Sequence, residues 1–251
     1  MQPTLKNTNQ PMSENLLTVC GFSSVKAIAQ HTPERIQRLF FDEASAPLFA
    51  QTCKYLAETH KIYRMVTTDE LKRIAVTAHH QGVAAVITKT KPKKLDILNH
   101  HTLCLHNVEN PHNVGAILRT AAFFGVERIC VSRSTYVAAE TAAAWRVAEG
   151  GLTHVKLWVY DNDEEFFTWA KEKNYRALAA VKPTAKTQRT LEEFLRDKKT
   201  SPLVVCLGNE EEGLPSLFVA QCHGHFSIRG SGRIESLNVS VTAALCLDRF
   251  S

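Results

Sequence analysis

No stretch of the 251 residues holds the roughly 18 consecutive apolar residues that a membrane-spanning helix needs, so no membrane span is expected. The start lacks the charged residues, apolar core and small-residue cleavage site of a secretory leader, which makes a cytoplasmic location the expectation. The seven cysteines are an odd set without a Cys-x-x-Cys pair, so neither a disulfide framework nor a zinc site is expected. Cys104, Cys130 and Cys206 sit in apolar, strand-like runs and read as reduced, buried thiols. No internal repeat marks a solenoid or propeller.

The composition that remains, 44% apolar and 22% charged, is that of a globular chain, and its length suits two domains. A net charge of +5 is compatible with a polyanionic partner without requiring one. Residues 1–15 are polar, carry two prolines and lack periodicity, which reads as a loose arm. Residues 16–90 alternate strand-like and helix-like segments, as a small α/β domain does, with Thr67 or Thr68 placed to cap a helix. A lysine-rich stretch with a proline, 91–100, reads as a linker, either plain solvated surface or an RNA-facing segment. From 101 to 251, apolar strands again alternate with helices, which implies a mainly parallel sheet covered on both faces. Within it, 138–151 reads as one alanine-rich helix ended by glycine, and Asn162 or Asp163 as the cap of the next.

Three segments concentrate chemistry. In 107–125 (NVENPHNVGAILRTAAFFG) a strand turns into a helix, with Asn110 and Asn113 able to cap it and Arg119 one turn beyond Gly115. The plain alternative is a capped helix with a surface arginine. In 204–215 (VVCLGNEEEGLP) an apolar strand delivers Gly208, Asn209 and Glu210 at its carboxyl end, where parallel α/β sheets bind ligands. The acidic run is either a solvated turn or needs a cationic partner, for which an arginine is the natural choice. In 227–245 (SIRGSGRIESLNVSVTAAL) a glycine-containing loop with Arg229 and Arg233 runs into a helix opened by Ser236, with Asn238 and Ser240 close behind. That is either a ligand cradle or a well-capped last helix.

Taken together, the segments NPHNVGAILRT (110–120), GNEEEG (208–213) and IRGSGRIESLNVS (228–240) resemble the three motifs of the SpoU, or TrmH-type, methyltransferases of the SPOUT superfamily. The resemblance covers about residues 101–251, and the CGFSSVKAI and HHQGVAAVI segments extend it to the family's small L30-like substrate-binding domain. It implies an α/β fold in which a trefoil-knotted methyltransferase domain follows an L30-like RNA-binding domain. It also implies transfer of a methyl group from S-adenosylmethionine to a ribose 2′-hydroxyl of rRNA or tRNA by a homodimer. No Gly-x-Gly-x-x-Gly follows a first strand, which argues against a Rossmann-type methyltransferase.

By the same resemblance, Leu207, Gly208, Asn209, Ile228, Leu237 and Val239 would bind the donor. Arg119 would be the central catalytic group, held by Glu210, while Asn113, Ser236 and Asn238 orient ribose or donor. Guanidinium groups keep their proton in proteins, so gripping the target phosphate suits an arginine better than serving as a base. One departure stands out: Arg229 and Gly230 occupy positions where the family usually has proline and often methionine. An RNA-binding protein of the same fold with little or no turnover, acting in RNA folding or ribosome assembly, is the alternative.

Overall fold

The structure is a computed structural model and describes residues 15–96, 100–183, 189–197 and 201–250. The arm expected at 1–15 lies, apart from Asn15, outside the described residues.

The first unit is a four-stranded sheet in the order β1-β4-β2-β3, formed by β1 (Leu16–Cys20), β2 (Ile36–Phe41), β3 (Ile62–Met65) and β4 (Val83–Thr88). Its helices are α1 (Phe22–His31), α2 (Ala50–Glu58) and α3 (Thr68–Ala75). Thr67 caps α3 with a reciprocal box, its side chain accepting from the Glu70 backbone while the Glu70 carboxylate accepts from the Thr67 backbone N–H.

The second unit is a seven-stranded sheet in the order β11-β9-β10-β6-β7-β8-β5. Its strands are β5 (Lys93–Lys94), β6 (Thr102–Leu105), β7 (Arg128–Ser132), β8 (Lys156–Tyr160), β9 (Arg176–Ala180), β10 (Leu203–Leu207) and β11 (Gly224–Phe226). All its pairings are parallel, as the continuous apolar strands require. The exposed pair Lys93–Lys94, within the lysine-rich stretch, forms the edge strand beside β8.

Helices α4 (Pro111–Phe123), α5 (Arg133–Ala139), α6 (Ala142–Ala148) and α10 (Val239–Asp248) accompany one side of this sheet, and α7 (Asp163–Glu172) and α9 (Ser216–Gln221) the other. The short α8 (Leu191–Leu195) packs its Leu191 and Phe194 into the first side's core. The alanine-rich segment read as one helix is two. Thr141 breaks it by capping α6, accepting from Ala144 N, while Glu140 is drawn inward. The cap expected from Ser236 comes instead from Asn238, whose side chain accepts from Ser240 N at 2.8 Å.

The largest apolar cluster runs through both units, from Val25, Ile28 and Leu39 to Leu118, Trp145 and Leu152. A polar joint lies beside it. Arg35 donates from Nε to the Thr88 carbonyl at 3.0 Å and lies 3.6 Å from the Glu140 carboxylate and 4.9 Å from the Trp145 ring. Glu140 also accepts from the Thr90 hydroxyl, and the Tyr136 hydroxyl donates to the Thr90 carbonyl. Burial holds the Arg35 guanidinium below its usual range, against the opposing pull of Glu140.

Candidate active site

Strand order reverses between β6 and β10, the central neighbours, so the loops leaving their carboxyl ends flank a crevice of the kind that holds ligands in parallel sheets. The loop after β6 enters α4 through Asn110, which caps the helix by accepting from His112 N at 2.9 Å. The loop after β10 folds back on itself, with Gly213 N donating to the Asn209 carbonyl at 2.9 Å. Gly208 is obligatory there, because a Cβ would stand 2.3 Å from the Gly213 carbonyl carbon. Asn209 ties the two loops together by donating to the Asn107 carbonyl at 3.0 Å, and its Oδ1 accepts from Glu211 N.

Three of the five residues expected to be catalytic form one string. Asn238 Nδ2 donates to Asn113 Oδ1 at 3.1 Å, and Asn113 Nδ2 donates to Glu210 Oε1 at 2.6 Å. One residue from each chemistry-bearing segment thus meets at the carboxyl edge of the sheet. Glu210 is half-buried and gains a charge-assisted bond, which explains how an acidic turn can close against an apolar strand.

Arg119 is not part of the string. Its expected partner was Glu210, but its Nη1 lies 3.0 Å from Glu149 Oε1 instead. The helix explains the difference. Asn113 and Arg119 are six residues apart, which turns their side chains about 120° from each other around α4. Asn113 therefore faces the α10 side, and Arg119 faces the end of α6. Gly115 lies on the α6 side too, where a Cβ would stand 2.5 Å from the Ala144 carbonyl oxygen. Ser236 is exposed and joins none of these hydrogen bonds among the described residues.

Of the residues expected to bind the donor, Leu207 ends β10, Gly208 and Asn209 begin the loop after it, and Val239 opens α10. Leu207 and Val239 are buried, Gly208, Asn209 and Ile228 are half-buried, and Leu237 is 49% exposed. The loop carrying Arg229 and Gly230 is open, and a Cβ at Gly230 or Gly232 would meet nothing within 4 Å. Lys182 tethers it through Glu235 at 3.5 Å. This rim of backbone groups and uncovered apolar side chains beside a carboxylate fits a nucleoside bearing a positive charge.

Two residues escaped the sequence reading. Glu149 looked like the end of a helix, and only the two glycines after it hinted at a tight turn. His106, at the end of β6, is buried, with Nδ1 3.0 Å from the Tyr160 hydroxyl and its ring 4.5 Å from that of Phe218. Burial pushes the imidazole below its usual value, against the pull of Asp163 at 3.7 Å. Among the described residues no His, Cys, Asp and Glu group is arranged to hold a metal ion, and no helix is long and apolar enough to cross a membrane.

Residues 100–248 match the SpoU rRNA Methylase family, and residues 18–93 match the family described as RNA 2'-O ribose methyltransferase substrate binding. The chain is 32% identical over 237 residues to the 23S rRNA (guanosine-2'-O-)-methyltransferase RlmB of Nitrosomonas europaea, covering 91% of this chain and 88% of that protein. It is 29% identical over 235 residues to the uncharacterized tRNA/rRNA methyltransferase YfiF of Escherichia coli O157:H7, covering 91% of this chain and 66% of that longer protein. In fold it is similar to the AdoMet-bound rRNA methyltransferase of Sinorhizobium meliloti, with a TM-score of 0.75 at 19% identity over 93% of this chain and 85% of that one.

Proposed function

The chain belongs to the SpoU rRNA Methylase family, and from that premise we propose that it transfers a methyl group from S-adenosylmethionine to a ribose 2′-hydroxyl of ribosomal or transfer RNA. The observation that carries this reading is the string Asn238–Asn113–Glu210, which gathers one residue of each motif at the crevice between β6 and β10. The Nitrosomonas relative, named for a guanosine of 23S rRNA, makes ribosomal RNA the first substrate to test.

In this reading residues 16–90 bind RNA, 91–100 link the units while lending Lys93–Lys94 to the edge of the second sheet, and 101–251 carry out transfer from a trefoil-knotted fold. Leu207, Gly208, Asn209, Ile228, Leu237 and Val239 hold the donor, which when bound supplies an electrophilic methyl group on a sulfonium. The half-exposed Leu237 and the uncovered Ile234 give its adenosine an apolar surface to displace water from. Asn113 and Asn238 offer amide groups fixed by their mutual hydrogen bond to orient the ribose. Arg119 grips the phosphate beside the target nucleotide with its planar fork of donors. Ser236 sits on the exposed stretch before α10, where it meets the ribose or donor as it binds.

The active form is a homodimer. Helix α10 is apolar almost all round, yet Val241 and Leu245 on its outer face are 47% and 44% exposed, and Leu237 continues their stripe. A second copy covering that stripe also brings a partner's Arg119 within reach of the string from which one subunit's own Arg119 is turned away. The protein works in the cytoplasm, where its RNA is found.

The test is methyl transfer from tritiated donor to rRNA and tRNA, with ribose methylation mapped in cells with and without the gene. One 2′-O-methyl group is expected to disappear with the gene. Absence of transfer together with absence of donor binding by calorimetry would overturn the reading in favour of an RNA-binding protein without turnover.

A further inference from the structure

The turn at residues 149–151 touches both units. Glu149 ends α6 with φ 45°, in the left-handed region, and this aims its carboxylate back at Arg119, 3.0 Å away. Gly150, with φ 93°, lies against α1 of the first unit, where a Cβ would stand 2.6 Å from Ala27 Cβ and 3.3 Å from the Ser23 carbonyl oxygen. Gly151 lies against α4, where a Cβ would stand 2.8 Å from the Cα of Arg119 itself. The two glycines therefore let the backbone wedge between α1 and the arginine with no side chain to spare. Further along the same contact, the rings of His31 on α1 and His154 stack edge to face at 4.4 Å.

The ion pair is half-exposed at both ends, with 56% of the arginine side chain and 49% of the glutamate side chain accessible. A pair of this kind is weak, so it can orient the guanidinium and still release it to an RNA phosphate. Nothing else fixes Arg119: among the described residues its guanidinium has no other ionic or hydrogen-bonding partner.

We propose that Glu149 is the positioning residue for Arg119, and that the clamped turn makes the pose of this arginine depend on how the first unit is seated. The proposal rests on the methyltransferase reading above. Glu149 touches no reacting atom. It holds the guanidinium clear of its own helix, ready for the phosphate, and the seat of α1 against Gly150 sets where the carboxylate stands. RNA pulling on the first unit would thereby shift the catalytic arginine through one turn of backbone.

Glu149→Gln and Glu149→Asp test this, with the arginine-selective reagent phenylglyoxal as a readout independent of activity. In Glu149→Gln, modification of Arg119 should speed up roughly threefold or more while other arginines react as before. Single-turnover methyl transfer should fall about tenfold, with donor and RNA affinities within about twofold of the parent, and Glu149→Asp should recover part of the loss. Ala27→Met, which crowds Gly150, should slow transfer in the parent and add little to Glu149→Gln, as coupled sites do. Unchanged Arg119 reactivity overturns the pairing. Changed reactivity with a parental transfer rate, or a loss matched by weakened RNA or donor binding, overturns the positioning role. A parent protein that methylates no RNA counts against the functional reading, and the phenylglyoxal measurement still decides the pairing.

Discussion

Asn113 donates to the Glu210 carboxylate at 2.6 Å although 97 positions of chain separate them, and this bond closes the loop after β10 onto the start of α4. Removing Asn113 leaves the half-buried Glu210 carboxylate without this donor, and removing Glu210 leaves the Asn113 amide N–H group without its acceptor. Asn113→Ala and Glu210→Ala should each cost about 1–3 kcal/mol, roughly fivefold to 150-fold in kcat/KM. Steady-state kinetics with labelled donor checks this. A parental kcat/KM in Asn113→Ala would remove the string from the catalytic site.

Arg119→Ala should abolish methyl transfer while donor affinity, measured by calorimetry, stays within about twofold, because Arg119 lies off the string, paired with Glu149 at the end of α6. Arg119→Lys should not restore activity, since a point charge does not replace a bidentate fork. A fully active Arg119→Ala protein would sink the assignment.

The uncovered α10 stripe predicts a dimer that one charge can split. Val241→Glu places a carboxylate in the middle of that face, and sedimentation should show monomer where the parent sediments as a dimer. Because the reading draws Arg119 from one subunit and the string from the other, mixing Arg119→Ala with Asn113→Ala protein should restore part of the activity. Failure of that complementation, with both variants dimeric, would place each site within a single subunit.

His106 should make the fold sensitive to mild acid. Burial lowers its folded-state pKa, so the unfolded chain binds more protons once pH drops below the ordinary histidine value of about 6.5. Stability is then full above that value and falls as pH is lowered toward the depressed one. His100 and His101 are shifted the same way, also by burial first. The thermal midpoint should therefore drop between pH 7.5 and about pH 5.5, and His106→Gln should flatten the dependence. An equally steep profile in the variant would assign the effect to the other histidines.

Gly115→Ala should destabilise the second unit by about 1–3 kcal/mol in urea unfolding, because the new methyl group meets the Ala144 carbonyl oxygen and Val147 Cβ where α4 crosses α6. A stabilised variant would mean that the crossing relaxes freely.

What the sequence disclosed followed the range of the interaction responsible. Caps were readable as pairs of candidates, Thr67 or Thr68, Asn110 and Asn113, Asn162 or Asp163, because a side chain and the N–H groups it satisfies lie two or three residues apart, and the structure uses the first of each. The parallel sheet was readable because strands buried on both faces leave unbroken apolar runs such as LVVCL. The break at Thr141 was not, since alanine propensity favours one long helix and the force against it is Glu140 turning in toward Arg35 and Thr90, far away in sequence. Ser236 and Asn238 are both good caps, and only the hydrogen bond to Asn113 shows why the second is used.

The site divided in the same way. The resemblance to the family's three motifs singled out Asn113, Glu210 and Asn238, and the structure brings those three together. Within one chain Arg119 meets Glu149 rather than the Glu210 that the resemblance implies, because helical phase points the arginine at α6. Glu149 carried no local signal strong enough to set it apart from any other helix end.

The apolar cluster shared by the two units bears on inheritance as much as on packing. Val25 and Ile28 of α1 belong to the same interior as Trp145 and Leu152, so a cut at residue 91 would open an apolar seam between the two units. Exchanging it for the corresponding piece of another protein would leave mismatched shapes along that seam and free the turn that holds Glu149. On the proposed coupling the two halves are fitted to each other at Gly150, and a substitution at Ala27 of α1 would be felt at the arginine on the other side of the wedge.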